Sequence, residues 1–444
     1  MSVLGTLFLT LSAATPASSV FVIVPDVISQ AGTGALISMA VAAVIAVLVA
    51  QVYAELGSAF PFAGGEYAIV GRIMGPLAGF VVLGLNLVNT LFATAVLALG
   101  VSDYLSAVVP GLSPVPVALA VVGGGTLLGV LNIRTNASIT GVFVAVEIVA
   151  LAVVAGLGLL HPSRGLPEAV LHPVALAGGA LSSTPLAAIG LSVAVAIFAY
   201  DGYGSAVYFG EELHQAPRRI ARAILWALGI TVVAEVVPLI AVLTGAPDLA
   251  GVLTAKNAVS AFVMSVGGPG LARVMGVAVG FAIMNAVIAM VLLAGRQLYS
   301  TGRDLTWPRP ISAALAAVHP RFGSPWLATL VGGGLTAGLC LVDLKFLLIA
   351  TGTGVAVIYA ILCGAALVGR ANGRSAHAPF RMRGFPAAPV LALLTLCGVL
   401  WADGLDPAEG RPGLLAAFTV AVVFGAYYLI ALRRRGWVLS GPQT

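Results

Sequence analysis

The chain has 444 residues, of which 60% are hydrophobic and only 8% charged, and its mean hydropathy is +1.09. A soluble domain carries about 25% charged residues, so this composition excludes a water-soluble multidomain protein, and its apolarity excludes a disordered one. Cys340, Cys363 and Cys397 all sit in apolar runs, where they read as small hydrophobes and exclude a disulfide scaffold. A net charge of +5 would suggest nucleic acid in a soluble chain. Here the basic residues follow topology instead, so no nucleic-acid partner is expected and the lipid bilayer is.

From the N-terminus, Met1–Ala17 is apolar and ends in small residues, as a signal peptide does. The first basic residue is Arg72, however, so the charged start of a signal peptide is missing. The apolar run continues through Val24 as one interrupted span. A crossing helix needs about 20 apolar residues, and by that measure the chain holds about twelve candidate spans. They lie at roughly 3–28, 33–59, 75–107, 114–133, 137–160, 185–210, 219–244, 271–301, 325–343, 345–369, 387–402 and 412–432. The stretch from about 246 to 270 is broken by Gly267-Gly268-Pro269-Gly270 and is expected to be an outer loop with one short surface helix. With a cytoplasmic N-terminus, only Arg164, Lys256, Arg273, Lys345 and Arg411 of the 21 basic residues fall outside, so the positive-inside rule places both termini in the cytoplasm.

Several chemistries are missing from the sequence. Lys256 and Lys345 are the only lysines and neither follows glycine, so there is no G-x-x-x-x-G-K-[ST] loop for ATP. Neither H-E-x-x-H nor G-x-S-x-G occurs. His161, His172, His214, His319 and His377 fall in loops or at span ends and read as solvated polar residues. The expectation is a protein that is not an enzyme and uses no cofactor or metal.

Two spans break near their middle. Thr15-Pro16-Ala17-Ser18-Ser19 interrupts span 1, where proline removes a backbone bond. Tyr200-Asp201-Gly202-Tyr203-Gly204 interrupts span 6. Irregular backbone at membrane depth survives only when buried in protein or lining a wet cavity. Each break opens a set of five spans, and paired interruptions in corresponding positions of two halves point to a transporter's binding site. The competing reading is a pair of kinks without a ligand.

These residues carry a family resemblance. Ala17-Ser18-Ser19-Val20-Phe21 stands where the amino acid–polyamine–organocation (APC) transporters have a G-S-G-I-F-like break. Tyr53-Ala54-Glu55-Leu56-Gly57, followed by Pro61-Phe62-Ala63-Gly64-Gly65-Glu66-Tyr67, resembles their span 2 signature and is the most specific match. Phe198-Ala199-Tyr200-Asp201-Gly202 with Glu211-Glu212 resembles span 6, and Pro217-Arg218-Arg219-Ile220 the loop after it. Gly302-Arg303-Asp304 resembles the end of span 8, and Pro379-Phe380-Arg381 with Gly384-Phe385-Pro386 the loop before span 11. The resemblance implies an all-α integral membrane fold of one transporter domain with 12 transmembrane helices. Its architecture would be a LeuT-like five-plus-five inverted repeat, about 3–160 and 185–369, with discontinuous helices 1 and 6 and two extra helices at about 387–432. It also implies transport of amino acids or related amines across the cytoplasmic membrane.

By that resemblance Ala17, Ser18, Ser19 and Val20 hold a substrate carboxylate, where helix N–H groups and the dipole favour an anion. Phe198, Ala199 and Tyr200 offer freed carbonyls to an ammonium group, with Asp201 and Gly202 beside them and Phe198 as an aromatic lid. The sequence departs from the family where Ala17 and Ser19 replace glycines. Carboxylates inside spans are expensive and usually functional. Glu147, mid-span where several proton-coupled relatives carry a lysine, is expected to carry the coupling proton, with Glu235 as a second candidate; the alternative is a permanently protonated structural acid. Glu55 reads as structural or gating. Asp201 either favours cationic substrates or caps the broken helix. The sequence therefore reads as a secondary active amino acid transporter coupled to H+, with an amine or polyamine transporter or exchanger, or sodium coupling, as alternatives. A receptor of the same build would need a long soluble tail after the last span.

Overall fold

The structure is a computed structural model that describes residues 7, 10–11, 14–61, 64–105, 109, 111–131, 133–212, 216–435 and 437; of 133–143, 209–212 and 216 it describes the backbone alone. The beginning of span 1, Phe62, Ala63 and His214 therefore lie outside the described residues. Eight helical runs are long and apolar enough to cross a membrane, and Pro114–Val130, Val144–Leu159 and Trp326–Leu339 are shorter apolar helices. A chain this apolar keeps its backbone bonds inside each segment, because hydrocarbon offers none.

The first run, Pro16–Ala59, holds α1 (Pro16–Ser18), a π turn (Ser19–Ile23), α2 (Val24–Ala31), a 3-10 turn (Gly32–Gly34) and α3 (Ala35–Ala59). Next come α4 (Gly65–Met74), α5 (Pro76–Leu105), α6 (Pro114–Val130) and α7 (Ile133–Leu159). After α8 (Leu166–Leu171) a hairpin forms from β1 (Val174–Ala177) and β2 (Ala180–Ser183), antiparallel with Val174 opposite Ser183. The sequence reading had no strand here, since Ala, Leu and Ser are weak strand formers. Gly178 and Gly179 both take positive φ, 60° and 84°, the geometry of a two-residue hairpin turn. The hairpin seals the end of α2, because the Val174 N–H donates to Thr33 Oγ1 (2.8 Å).

The next elements are α9 (Leu186–Tyr200), a 3-10 segment (Tyr203–Glu212) and α10 (Ala216–Gly245). They are followed by α11 (Leu249–Thr254), α12 (Ala258–Arg303), α13 (Arg309–Leu315) and α14 (Trp326–Leu339), and then by α15 (Leu344–Ala371), α16 (Ala387–Leu405) and α17 (Gly410–Tyr427). The stretch read as a loop with one short helix instead holds α11 and the first part of α12. The chain turns at Gly268 (φ 74°), ahead of Pro269, and then continues as helix. Glycine takes the positive φ without a Cβ clash, and proline needs no N–H bond at the start of a helix, so the same four residues kink the helix rather than end it.

The bundle is centred on α3, α5, α9, α12 and α15, with α10 packed on α3 and α7. Small residues permit these approaches. A Cβ on Gly158 of α7 would stand 2.0 Å from the Ala241 carbonyl oxygen of α10. Two stretches recognised separately in the sequence also meet, as Tyr67 donates from α4 to Asp304 Oδ2 at the end of α12 (2.8 Å).

Candidate functional site

The two broken helices touch. Thr15 takes left-handed backbone (φ 41°), so the helical ladder restarts at Pro16. The first i−4 bond runs from the Ser19 N–H to the Thr15 carbonyl (3.1 Å). The first-turn donors are thus Ala17 and Ser18. Ser19 and Val20 instead belong to the π turn, in which the Val24 N–H reaches back to the Ser19 carbonyl. All four residues are buried.

The α9 break is a true interruption. Asp201 is extended (φ −63°, ψ 159°) and Gly202 has φ 109°. A Cβ on Gly202 would stand 2.5 Å from Cα of Ala14, so glycine is required both for the turn and for the approach of span 1. The three carbonyls expected to be free differ in their partners. The Asp201 N–H donates to Phe198 O (3.0 Å). Ser19 Oγ donates to Ala199 O (2.9 Å) across 180 positions of sequence. Phe198 is buried and is not among the residues lining the cavity described below.

Below the break lies a cavity of about 70 Å³ lined by Asp201, Gly202, Ser205 and Tyr208 on one side and by Tyr53, Glu66, Asn86, Gln297 and Tyr359 on others. Asp201 Oδ1 accepts from Tyr359 (2.9 Å). Glu66 Oε1 accepts from Tyr53 (3.0 Å), and its Oε2 accepts from Tyr208 and from Asn86 Nδ2 (3.2 Å). Burial pushes the Glu66 carboxyl up to about 7, and the nearby Asp201 charge adds to the rise. Glu66 and its tyrosines were missed in the sequence, although Tyr53 and Glu66 stand in the quoted signature. Their signal was the signature's polar residues, which acquire a role only once α4 folds back on α3.

Glu235 of α10 and Glu147 of α7 are also buried. Glu235 lies beside the Ser19 hydroxyl and Tyr200. Ser18 Oγ, Thr231 Oγ1, the Tyr200 hydroxyl and Glu147 Oε1 have no hydrogen-bond partner among the described residues. Buried polar groups are normally satisfied, which sets these side chains apart from the rest of the core. Asp403 is a further buried carboxyl that the sequence reading placed just past a span; it accepts from Thr353 (2.8 Å).

Glu55 lies away from the cavity. Arg370 Nε and Nη2 donate to its two oxygens (2.7 and 2.6 Å), and the Met382 N–H adds a third bond (2.8 Å). The Arg370 guanidinium stands 4.2 Å over the Phe385 ring. Glu55 thus ties α3 to α15 and to the loop before α16. Beyond Phe21 a second cavity of about 400 Å³ is lined by Asp26, Asp103, Lys256 and Lys345. Its floor is pinned where the Phe21 carbonyl accepts from Tyr104 and from Asn257 Nδ2 (3.0 Å).

Residues 1–424 match the family model described as "Amino acid permease". The chain is 32% identical over 356 residues to an uncharacterized transporter of Mycobacterium tuberculosis, covering 78% of this chain and 74% of that one. It is 24% identical over 413 residues to the methylthioribose transporter of Bacillus subtilis, covering 86% of each. Over 400 residues it is 24% identical to a branched-chain amino acid permease of the same species, covering 85% of this chain and 82% of the permease.

Proposed function

The chain belongs to the amino acid permease family and is a multi-pass membrane protein; from that premise we propose that it is a secondary active transporter of amino acids rather than an enzyme. It crosses the cytoplasmic membrane twelve times with both termini inside, in a LeuT-like five-plus-five inverted repeat extended by two helices. The observation that carries the reading is the meeting of two broken helices, Gly202 against Ala14 and Ser19 against Ala199, beside a polar cavity. A zwitterion fits that junction. Its carboxylate faces the first-turn N–H groups of Ala17 and Ser18, with Ser19 and Val20 completing the contact. Its ammonium takes the Ala199 carbonyl from the Ser19 hydroxyl, with Phe198, Tyr200, Asp201 and Gly202 around it.

Transport follows from exchanging closures on the two sides of this junction. Asn257 and Tyr104 close the Phe21 side, Glu66 and Tyr208 close the other, and Phe198 and Glu55 act as gating residues. A carboxyl that gains and loses a proton changes the cost of its burial, so Glu147 and Glu235 are the proton-coupling groups. Relatives named for a branched-chain amino acid and for methylthioribose support a small polar organic substrate.

A second reading, an amine or polyamine carrier, is favoured by the two carboxyls in the cavity. Uptake into proteoliposomes under an inward proton gradient without sodium separates the two. The panel comprises amino acids, their decarboxylated amines and methylthioribose. Gradient-driven uptake of amino acids supports the first reading, uptake of amines alone supports the second, and uptake of neither class overturns both.

A further inference from the structure

Glu66 and Asp201 place two carboxyls in one buried cavity, and among the described residues that line it there is no Lys, Arg or His. Two neutral side chains point the same way. Ser205 and Gln297 both line the cavity, each is only 8% exposed, and among the described residues neither Ser205 Oγ nor Gln297 Oε1 has a hydrogen-bond partner. Buried acceptors left unsatisfied are costly, and with two carboxyls beside them a donating group would relieve that cost.

The partners already present narrow the class of donor. Glu66 accepts from Tyr53, Tyr208 and Asn86, and Asp201 accepts from Tyr359, so each carboxylate keeps only part of its accepting capacity. A hard metal ion asks for six or more oxygen ligands in a shell and gives up its water reluctantly. An alkylammonium head has three N–H donors and an apolar stem. Leu293, Met290, Val355 and Ile358 supply apolar wall for that stem. The rings of Tyr53, Tyr203 and Tyr359, packed at 5.8 to 6.0 Å between centroids, stand behind the carboxyls.

We propose that the cavity beneath the α9 break is a subsite for a primary ammonium group, held by the carboxylates of Glu66 and Asp201 with Ser205 Oγ and Gln297 Oε1 as neutral acceptors. The subsite deepens the transport reading above and rests on it for the route by which the ligand arrives. The substrate class it selects is an amino acid with a cationic side chain, whose α-carboxylate and α-ammonium lie at the helix junction while the distal ammonium enters the cavity.

The test is calorimetric binding to the purified full chain, with lysine, norleucine and pentylamine as ligands. Norleucine has the carbon chain of lysine without the distal ammonium, and pentylamine has an ammonium without a carboxylate. The expected result is that wild type prefers lysine to norleucine about tenfold or more, and that Glu66→Gln removes that preference. Gln297→Leu and Ser205→Ala keep both carboxyls and should each lower the same preference by about threefold; they decide the matter should Glu66→Gln fail to fold.

Equal affinity for lysine and norleucine in wild type, or a preference that survives all three substitutions, overturns the subsite while norleucine binding leaves the amino acid reading standing. Glu66-dependent pentylamine binding with no binding of either amino acid does the reverse, supporting the subsite and overturning that reading. Binding of none of the three overturns both.

Discussion

The Ser19 hydroxyl donates to the Ala199 carbonyl across 2.9 Å and so joins the two interrupted helices at their breaks. On the proposed reading, Ser19 occupies the acceptor that a substrate ammonium would take. Replacing it with glycine removes the competitor and about 1 kcal/mol of hydrogen bonding from the empty protein. The expected outcome of Ser19→Gly is tighter substrate binding together with a lower melting temperature. Weaker binding would show that the hydroxyl contacts the substrate rather than standing in for it.

Glu235 and Glu147 are buried carboxyls on helices that pack together. Glutamine keeps the volume of each side chain but cannot exchange a proton. Glu235→Gln and Glu147→Gln are each expected to abolish accumulation driven by a proton gradient while counterflow exchange of labelled substrate continues. Gradient-driven accumulation that persists in both variants would remove these residues from coupling.

Gly202 combines φ 109° with a Cβ position 2.5 Å from Ala14 Cα. Strain of this kind costs about 1–3 kcal/mol and the backbone clash adds to it. Gly202→Ala should therefore lower the melting temperature strongly or prevent folding. Gly111→Ala is the control, because its φ is also positive (81°) but a Cβ there meets nothing within 4 Å among the described residues. Equal effects would mean that the turn alone matters and the approach to span 1 does not.

Glu55 is fully buried and bonded bidentately to Arg370. Removing one partner of such a pair strands the other, at about 3–5 kcal/mol. Glu55→Ala and Arg370→Ala should each destabilise the protein by that order. The double variant should fall short of their sum, and additive losses in thermal unfolding would mean that the ion pair contributes nothing of its own.

The helical runs were legible because the chain must satisfy its backbone within lipid, and that requirement writes long apolar runs into the sequence. The two breaks were legible through Pro16 and Gly202, whose backbone preferences are local. What each break does with its donors and acceptors was not. The Ser19 bond to Ala199 joins positions 180 apart, and the Phe198 carbonyl is taken by the Asp201 N–H where the backbone leaves the helix. Gly267 to Gly270 read as a loop because a kink and a stop use the same residues. Glu66 was passed over because α4 lies outside the long spans, and its burial comes from Tyr53, Asn86 and Tyr208 on three other elements.

Glu66 also makes stability depend on pH. Burial raises its carboxyl from 4.5 in the unfolded chain to about 7, so the folded protein holds this proton more tightly than the unfolded one. Its stabilising effect is complete below pH 4.5 and is lost as pH rises through about 7, up to about 3 kcal/mol at full titration. Glu66→Gln carries no such proton and should flatten that part of the profile, so melting temperatures of wild type and variant should diverge as pH goes from about 5 to 8. A cationic ligand favours the ionised carboxylate and shifts the fall to lower pH, releasing protons as it binds. Parallel profiles for wild type and Glu66→Gln would mean that the carboxyl keeps one protonation state throughout this range.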